Sequence, residues 1–248
     1  MRNTYVERWF SEEQKLQRRL QLLFLSRIFR RGDGFVFKGG TALDLFYNSG
    51  RFSEDLDFDC MNMDVLGEIN AAIGSLKEEK VYAIFNDWHA ERQLHSGFVR
   101  YVLKVSSTDT NAIVNLTIDC IMDMPKYQPE SFALNYNDSI IGVKVMRAEE
   151  ILAEKVSAVI TREKARDLYD LYHLAIVRRV PISLKDVYEK CAKGFSSKNP
   201  KKYSFSLFEK SVKRLGGRWK ELDPLLQNPE DYPFIEVSRE ILEKFKSL

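Results

Sequence analysis

One stretch, Phe35 to Cys60, limits what this chain can fold into more than any other: FVFKGGTALDLFYNSGRFSEDLDFDC. A short apolar run, Phe35-Val36-Phe37, ends in Lys38-Gly39-Gly40-Thr41, where two glycines allow a tight turn and a close approach of backbone to a ligand. The pattern predicts a strand that hands over to a helix from Thr41 to about Tyr47. The first N–H groups of that helix, beside the glycines, suit phosphate oxygens. In Ser53-Glu54-Asp55-Leu56-Asp57-Phe58-Asp59 carboxylates alternate with Leu56 and Phe58, and the strand period of two puts Asp55, Asp57 and Asp59 on one face. Like charges that close repel one another unless cations neutralise them. Mg²⁺ suits the pattern, because it takes carboxylate and phosphate oxygens together and keeps several waters. Taken singly, the glycines also fit an ordinary loop and the acids an exposed edge strand. Their combination is what points to a site for phosphate and metal.

The elements around this stretch follow from periodicity. Ser11-Glu12-Glu13-Gln14 has the form of a capping box, and Leu16, Leu20, Leu23, Phe24 and Ile28 follow at helical spacing. A first helix is therefore expected, ending at Gly32-Asp33-Gly34, with an arginine-rich outer face in solvent. Val65, Ile69, Ala72, Ile73 and Leu76 predict a second helix despite Gly67 and Gly74. Val81 to Phe85 reads as an edge strand, Phe98 to Val105 as a stronger one, and Ala112 to Ile121 as its antiparallel partner across a turn at Ser106 to Thr110. Within that partner, Asp119 is a carboxylate in an apolar run, poorly placed unless it is paired, bound to metal or turned to water. Asp123 is the next acid along. Pro125 to Asn137 reads as a loop and Ile140 to Val145 as a last strand.

From Arg147 the period turns helical. Ile151, Leu152, Lys155, Val156 and Val159 trace one helix, with Glu149 and Glu150 in its first turn to complement the dipole. Leu168, Leu171, Tyr172, Leu174 and Ala175 trace another, and a last helix is expected from Ile235 to Phe245. Lys155 lies on or beside an apolar stripe, where a lysine often snorkels. Asp167 and Asp170, one turn apart, can cap or pair with Arg162 and Arg166.

Composition enters as a set of exclusions. An apolar share of 44% rules out general disorder, and no apolar run reaches membrane-spanning length. The beginning, MRNTYVERWF, lacks the apolar segment of a signal peptide, so a cytoplasmic location without a membrane partner is expected. Cys60, Cys120 and Cys191 are odd in number and show no C-x-x-C spacing, which supports neither a disulfide scaffold nor a zinc site. The net charge of +2 conceals a local excess between Lys193 and Lys220, where lysines and arginines face the single acid Glu209. Phe195, Tyr203, Phe205, Phe208 and Trp219 are interleaved there. Such a window fits phosphate neutralisation and base stacking, or equally a solvated lysine face over an aromatic core.

The glycine turn, the short helix and the Asp-x-Asp strand together resemble the nucleotidyltransferase superfamily with a polymerase-beta-like core. KGGTAL followed by Arg51-x-Ser53-x-Asp55-Leu56-Asp57-Phe58 is similar to the AbiEii/AbiGii toxin family of bacterial abortive-infection and toxin–antitoxin systems. A second block, Glu150-Ile-Leu-Ala-Glu154-Lys155 through Arg166-Asp167-Leu-Tyr-Asp170-Leu, resembles the same family. The resemblance implies an α/β (α+β) fold: a nucleotidyltransferase core over 1–146, with a small mixed sheet flanked by helices, and a helical C-terminal region over 147–248.

It also implies Mg²⁺ held by Asp55, Asp57 and Asp119, with the third acid drawn from a neighbouring strand. Gly39, Gly40 and Thr41 would cradle the phosphates of an NTP, with Lys38, Arg51 and Ser53 around them. Lys155 would contact phosphate, and Asp167 would help to form the catalytic cleft. The expected reaction moves NMP from an NTP to an acceptor, tRNA or another RNA, under the restraint of a separately encoded antitoxin. A small-molecule nucleotidyltransferase of the antibiotic-modifying kind and a non-catalytic nucleotide-binding protein are the alternatives.

Overall fold

Ser11 accepts a hydrogen bond from the Gln14 N–H, and the Gln14 side chain accepts one from the Ser11 N–H, so the capping box starts helix α1 (Glu12–Arg31). The computed structural model describes residues 8–32, 34–61, 64–78, 85–95, 97–108, 110, 112–136, 139–193 and 200–248. Strand β1 (Phe35–Lys38) runs directly into α2 (Gly39–Tyr47), so that helix begins at the glycines themselves rather than at Thr41. There follow β2 (Leu56–Cys60), α3 (Val65–Glu78), β3 (Phe85–His95), β4 (Phe98–Ser107), β5 (Ile113–Ile121), β6 (Glu130–Tyr136) and β7 (Ser139–Val145). The helices α4 (Ala148–Arg162), α5 (Ala165–Tyr172), α6 (Leu184–Lys193), α7 (Phe205–Arg214) and α8 (Phe234–Lys246) complete the chain. The last turn of α5 widens to π geometry over His173–Val177, and a 3₁₀ stretch spans Leu215–Leu225.

The fold is a mixed α/β one. Among the described residues seven strands form one sheet in the order β3-β4-β5-β2-β1-β7-β6. The pairs β2–β5 and β1–β7 are parallel and the others antiparallel. The chain divides into two compact units, Met1–Phe46 with Phe52–Met146, and Tyr47–Arg51 with Arg147–Leu248. In the first unit Phe58 is fully buried, with the rings of Phe24, Phe29, Phe35 and Phe37 at 5.2–6.4 Å between centroids. Burying one such side chain contributes roughly 1.5–3 kcal/mol. Because side chains alternate along β2, fixing Phe58 on that face turns Asp57 and Asp59 to the other.

Three expectations need correcting. Pro125–Asn137 is not all loop, since Glu130–Tyr136 forms β6 and pairs with β7 from Glu130↔Val145 to Tyr136↔Ser139. Strand β3 escapes a search for apolar alternation because it is the sheet edge and His89–Leu94 are all exposed. Of the edge strand expected over Val81–Phe85, only Phe85 lies within the described residues. Arg18 does not belong to a solvated arginine face either. It is buried, ion-paired with Asp44, hydrogen-bonded to Gln21 and packed with its guanidinium 5.3 and 5.4 Å from the ring centroids of Phe10 and Phe52. All three cysteines are free and buried. Among the described residues no helix is long and apolar enough to cross a membrane.

Candidate active site

Sheet register gathers the polar residues of the first unit on one face. In β1–β2 Lys38 faces Asp57 and Val36 faces Asp59, while the apolar pair Phe37↔Phe58 looks the other way. In the parallel β2–β5 pair Asp57 stands opposite Asp119. In β4–β5 Asp119 stands opposite Arg100. Directly opposed residues carry their Cβ atoms about 5 Å apart on the same face, so Lys38, Asp57, Asp119 and Arg100 form a row across four strands. Asp55 lies just before β2.

The approach to β2 is pinned from several sides. Thr41 Oγ1 donates to the Asp55 carbonyl at 2.5 Å. Gln21 donates to the carbonyls of Ser53 (2.8 Å) and Glu54 (2.9 Å), and Gln17 reaches Glu54 (3.2 Å) and Asn115 (3.0 Å). Ser53 and Thr41 are both buried. These bonds satisfy loop carbonyls that would otherwise be costly to bury and hold Asp55 and Asp57 against the turn. At that turn Gly39 has φ +74°, and a Cβ placed on it would meet Asp57 Oδ2 at 2.1 Å. Only glycine combines that backbone angle with so close a carboxylate.

Two ion pairs stand out in this unit. Lys38 is buried and its Nζ lies 2.7 Å from Oδ1 of the fully buried Asp59. The lysine expected around the phosphates thus has an ion-pair partner within the sheet. Arg100 was not singled out from sequence at all. Its Nε and Nη2 donate to the two oxygens of Asp119 at 2.7 and 2.6 Å. The hydrogen bond to Asp119 raises the Arg100 pKa above its ordinary value against partial desolvation, and the charges of Asp119, Asp55 and Asp57 add to the rise. The register of the β4–β5 hairpin would have found it, since it is the residue directly across from the suspect acid.

The fit of this face to Mg²⁺ can be judged from its donors. Among the described residues no three His, Cys, Asp or Glu side chains converge as a complete metal shell. Mg²⁺ does not need one, because it binds through one or two carboxylates with substrate phosphates and waters. Asp57, seated on the glycine turn, and Asp55, two residues before it, are acids of the kind that this mode of binding uses, and the guanidinium on Asp119 shows that the same face draws a positive charge. The residues present fit a metal that arrives with phosphate.

The second unit holds the remaining sequence-derived candidates. Glu163, left-handed at φ 46°, caps α4 and turns the chain into α5, which brings Lys155 to Asp167 and Asp170. Lys155 Nζ is 3.2 Å from Asp167 Oδ1 and 2.7 Å from Asp170 Oδ2. Arg162 grips both oxygens of Asp167 at 2.6 Å. Arg51 pairs bidentately with Asp170 at 2.9 and 3.0 Å. Both aspartates are fully buried and Arg51 is 1% exposed.

Burial by itself would raise both aspartate pKa values. For Asp167 the charges of Lys155 and Arg162 outweigh it, and for Asp170 those of Arg51 and Lys155, so each carboxyl is held below its ordinary value. The segment from Tyr47 to Arg51 is further tied by His173 and Arg178 to the Tyr47 carbonyl and by the Tyr169 hydroxyl to that of Ser49.

The basic window separates into charge and core. Tyr203 and Phe208 are buried, with Phe208 4.7 Å from Phe245, and the half-buried Trp219 donates to the Tyr232 carbonyl at 2.8 Å. Those rings serve the interior rather than stacking on bases. Lys201, Lys202, Lys210, Lys213, Arg214, Arg218 and Lys220 are exposed, although Lys213 pairs with Glu209, Arg214 with Glu163 and Arg218 with Glu221. Residues 194–199, with Phe195 and Lys198, lie outside the described residues.

Comparison with known proteins gives a family and a fold. The family described as nucleotidyl transferase AbiEii toxin, type IV TA system, matches residues 23–240. No curated protein matches. Among solved structures, JHP933 from Helicobacter pylori is 25% identical with a TM-score of 0.59, over 96% of this chain and 95% of its own. A candidate nucleotidyltransferase from H. pylori is 23% identical with a TM-score of 0.59, over 96% of this chain and 98% of its own. MenT4, a nucleotidyltransferase toxin of Mycobacterium tuberculosis H37Rv, is 20% identical with a TM-score of 0.49, over 94% and 93%.

Proposed function

Because this chain belongs to the AbiEii family of nucleotidyl transferase toxins of type IV toxin–antitoxin systems, we propose that it moves NMP from an NTP to an RNA acceptor such as tRNA. The observation that carries this reading is the placement of Asp57, against the backbone of Gly39 and in register with Asp119. A nucleotidyltransferase must hold a triphosphate and oppose its charge, and this turn supplies both needs. Backbone N–H groups at the start of α2 offer donors for phosphate oxygens, with Gly39 and Gly40 adding no side chain to keep the phosphates away. Asp55 and Asp57 would hold Mg²⁺, with Asp119 as the third ligand from the neighbouring strand. When bound, the ion neutralises developing charge on the phosphates and lowers the pKa of an attacking hydroxyl. Gln17, Gln21 and Thr41 keep the acids oriented through the carbonyls they bind. An antitoxin encoded separately would restrain the activity.

The exposed lysines of 201–220 support RNA as the acceptor, by neutralising its backbone and not by reading bases. The test is transfer of label from each α-labelled NTP into total bacterial RNA, with Mg²⁺ or with EDTA, for wild type and Asp57→Asn. Label entering RNA with one NTP, lost in EDTA and lost in the variant, is the expected result. Equal transfer by Asp57→Asn would overturn the site, and label found only in small molecules would favour an antibiotic-type nucleotidyltransferase.

A further inference from the structure

Both oxygens of Asp119 are engaged by Arg100, so a divalent ion bound to that carboxylate would face the guanidinium charge at close range. We infer that Arg100 is the resident cation of the acidic face, one that a divalent ion must displace from Asp119 and that then takes a triphosphate as its new anion, so that metal and nucleotide load together. The inference rests on the proposed nucleotidyl-transfer site and deepens it.

Its geometry is specific. Arg100 and Asp119 are directly opposed on antiparallel strands, and the bond between them is a two-point fork of the kind that an arginine makes to carboxylate or phosphate alike. The guanidinium sits 5.5 Å from the Phe98 ring, which gives its flat face a support outside the ion pair. Arg100 is 40% exposed and Asp119 15%, so the cation can leave without opening the core. Leaving has a cost, because Asp55, Asp57 and Asp119 all attract it. Divalent metal repels the guanidinium from these acids, and phosphate oxygens offer it another two-point partner. Metal without nucleotide has to strand Arg100 beside a divalent ion; metal with nucleotide does not. The two ligands are thereby coupled, and coupling between sites is reciprocal.

The experiment is a titration of Mn²⁺, followed by the electron paramagnetic resonance signal of the free ion. It uses wild type, Arg100→Gln and Arg100→Lys, each with and without a non-hydrolysable NTP analogue. Without nucleotide, Arg100→Gln should bind Mn²⁺ about tenfold more tightly than wild type, the scale of one partly screened charge-assisted contact. Arg100→Lys, which keeps the charge but not the fork, should fall between them. The analogue should tighten Mn²⁺ binding more in wild type than in Arg100→Gln.

Thermal melts in EDTA check that each variant is folded, and if Arg100→Gln is not, the Arg100→Lys comparison decides. Equal Mn²⁺ affinity in the three proteins, with equal tightening by the analogue, would overturn the role of Arg100 and leave the metal site standing. Absence of Mn²⁺ binding in all three, with or without nucleotide, would overturn the site and the role of Arg100 with it.

Discussion

Adding a single methyl group at Gly39 separates backbone strain from damage to the acids. Gly39 and Gly50 both have left-handed φ, +74° and +68°, so Gly39→Ala and Gly50→Ala each carry a backbone penalty of about 1–2 kcal/mol. For a chain of this size that lowers the melting temperature by roughly 2–8 °C. The surroundings differ. A Cβ on Gly50 meets nothing within 4 Å, whereas one on Gly39 lies 2.1 Å from Asp57 Oδ2, 2.8 Å from Cγ and 2.9 Å from Cβ. Swinging the carboxylate away does not cure the contact with the Asp57 Cβ, so the strand or the turn has to shift. A displacement of about 1 Å at a reacting centre costs on the order of 100-fold in rate. Labelled-NTP transfer should therefore fall on that scale in Gly39→Ala and stay within about twofold in Gly50→Ala, and the melting temperature should fall further in Gly39→Ala, where the clash adds to the backbone strain. Comparable activity in the two variants would refute the claim that Asp57 works from its seat on Gly39.

Arg51→Ala leaves Asp170 buried with a lost partner and should cost about 3–5 kcal/mol, read by urea denaturation; a loss below about 1 kcal/mol would mean the pair is not structural. The low pKa values of Asp167 and Asp170 predict an acid-sensitive second unit. Their contribution is complete above the ordinary carboxylate pKa of about 4 and is lost as pH falls through the folded values below it, because the unfolded chain takes up protons first. Denaturation curves from pH 7 to pH 3 should show that decline, and Asp167→Asn should flatten it; an equally steep decline in the variant would assign it to other groups. Replacing Lys201, Lys202, Lys213 and Arg214 by Glu should weaken RNA binding and reduce its salt dependence, whose slope is about −0.7 per phosphate neutralised on single strands, while NTP binding stays unchanged. Undiminished RNA binding in that protein would reduce the lysines to a solvated surface.

Whatever depends on neighbours along the chain was legible in the order of the residues. The capping box started α1, the glycines ended β1 and opened a helix, and the period of two turned Asp57 and Asp59 away from the face that Phe58 buries. These are short-range effects of dihedral preference and side-chain alternation, and they are written wherever the residues are. Tertiary structure decided which charge meets which. Lys38 went to Asp59, Arg18 into the interior with Asp44, Arg51 to Asp170, and Arg100 to Asp119. Each of these choices turns on strand register or helix packing between residues far apart in the chain, which no local period encodes. The same reason hid β3, because an edge strand takes its hydrogen bonds from a partner and needs no apolar face of its own to announce it; β6 does carry the period of two, with Leu134 and Tyr136 buried on one face beside Phe132. Tertiary packing also sent Tyr203 and Phe208 inward, since an aromatic ring between lysines looks the same in sequence whether it covers a core or waits for a base, and only the helix packed over it makes the difference.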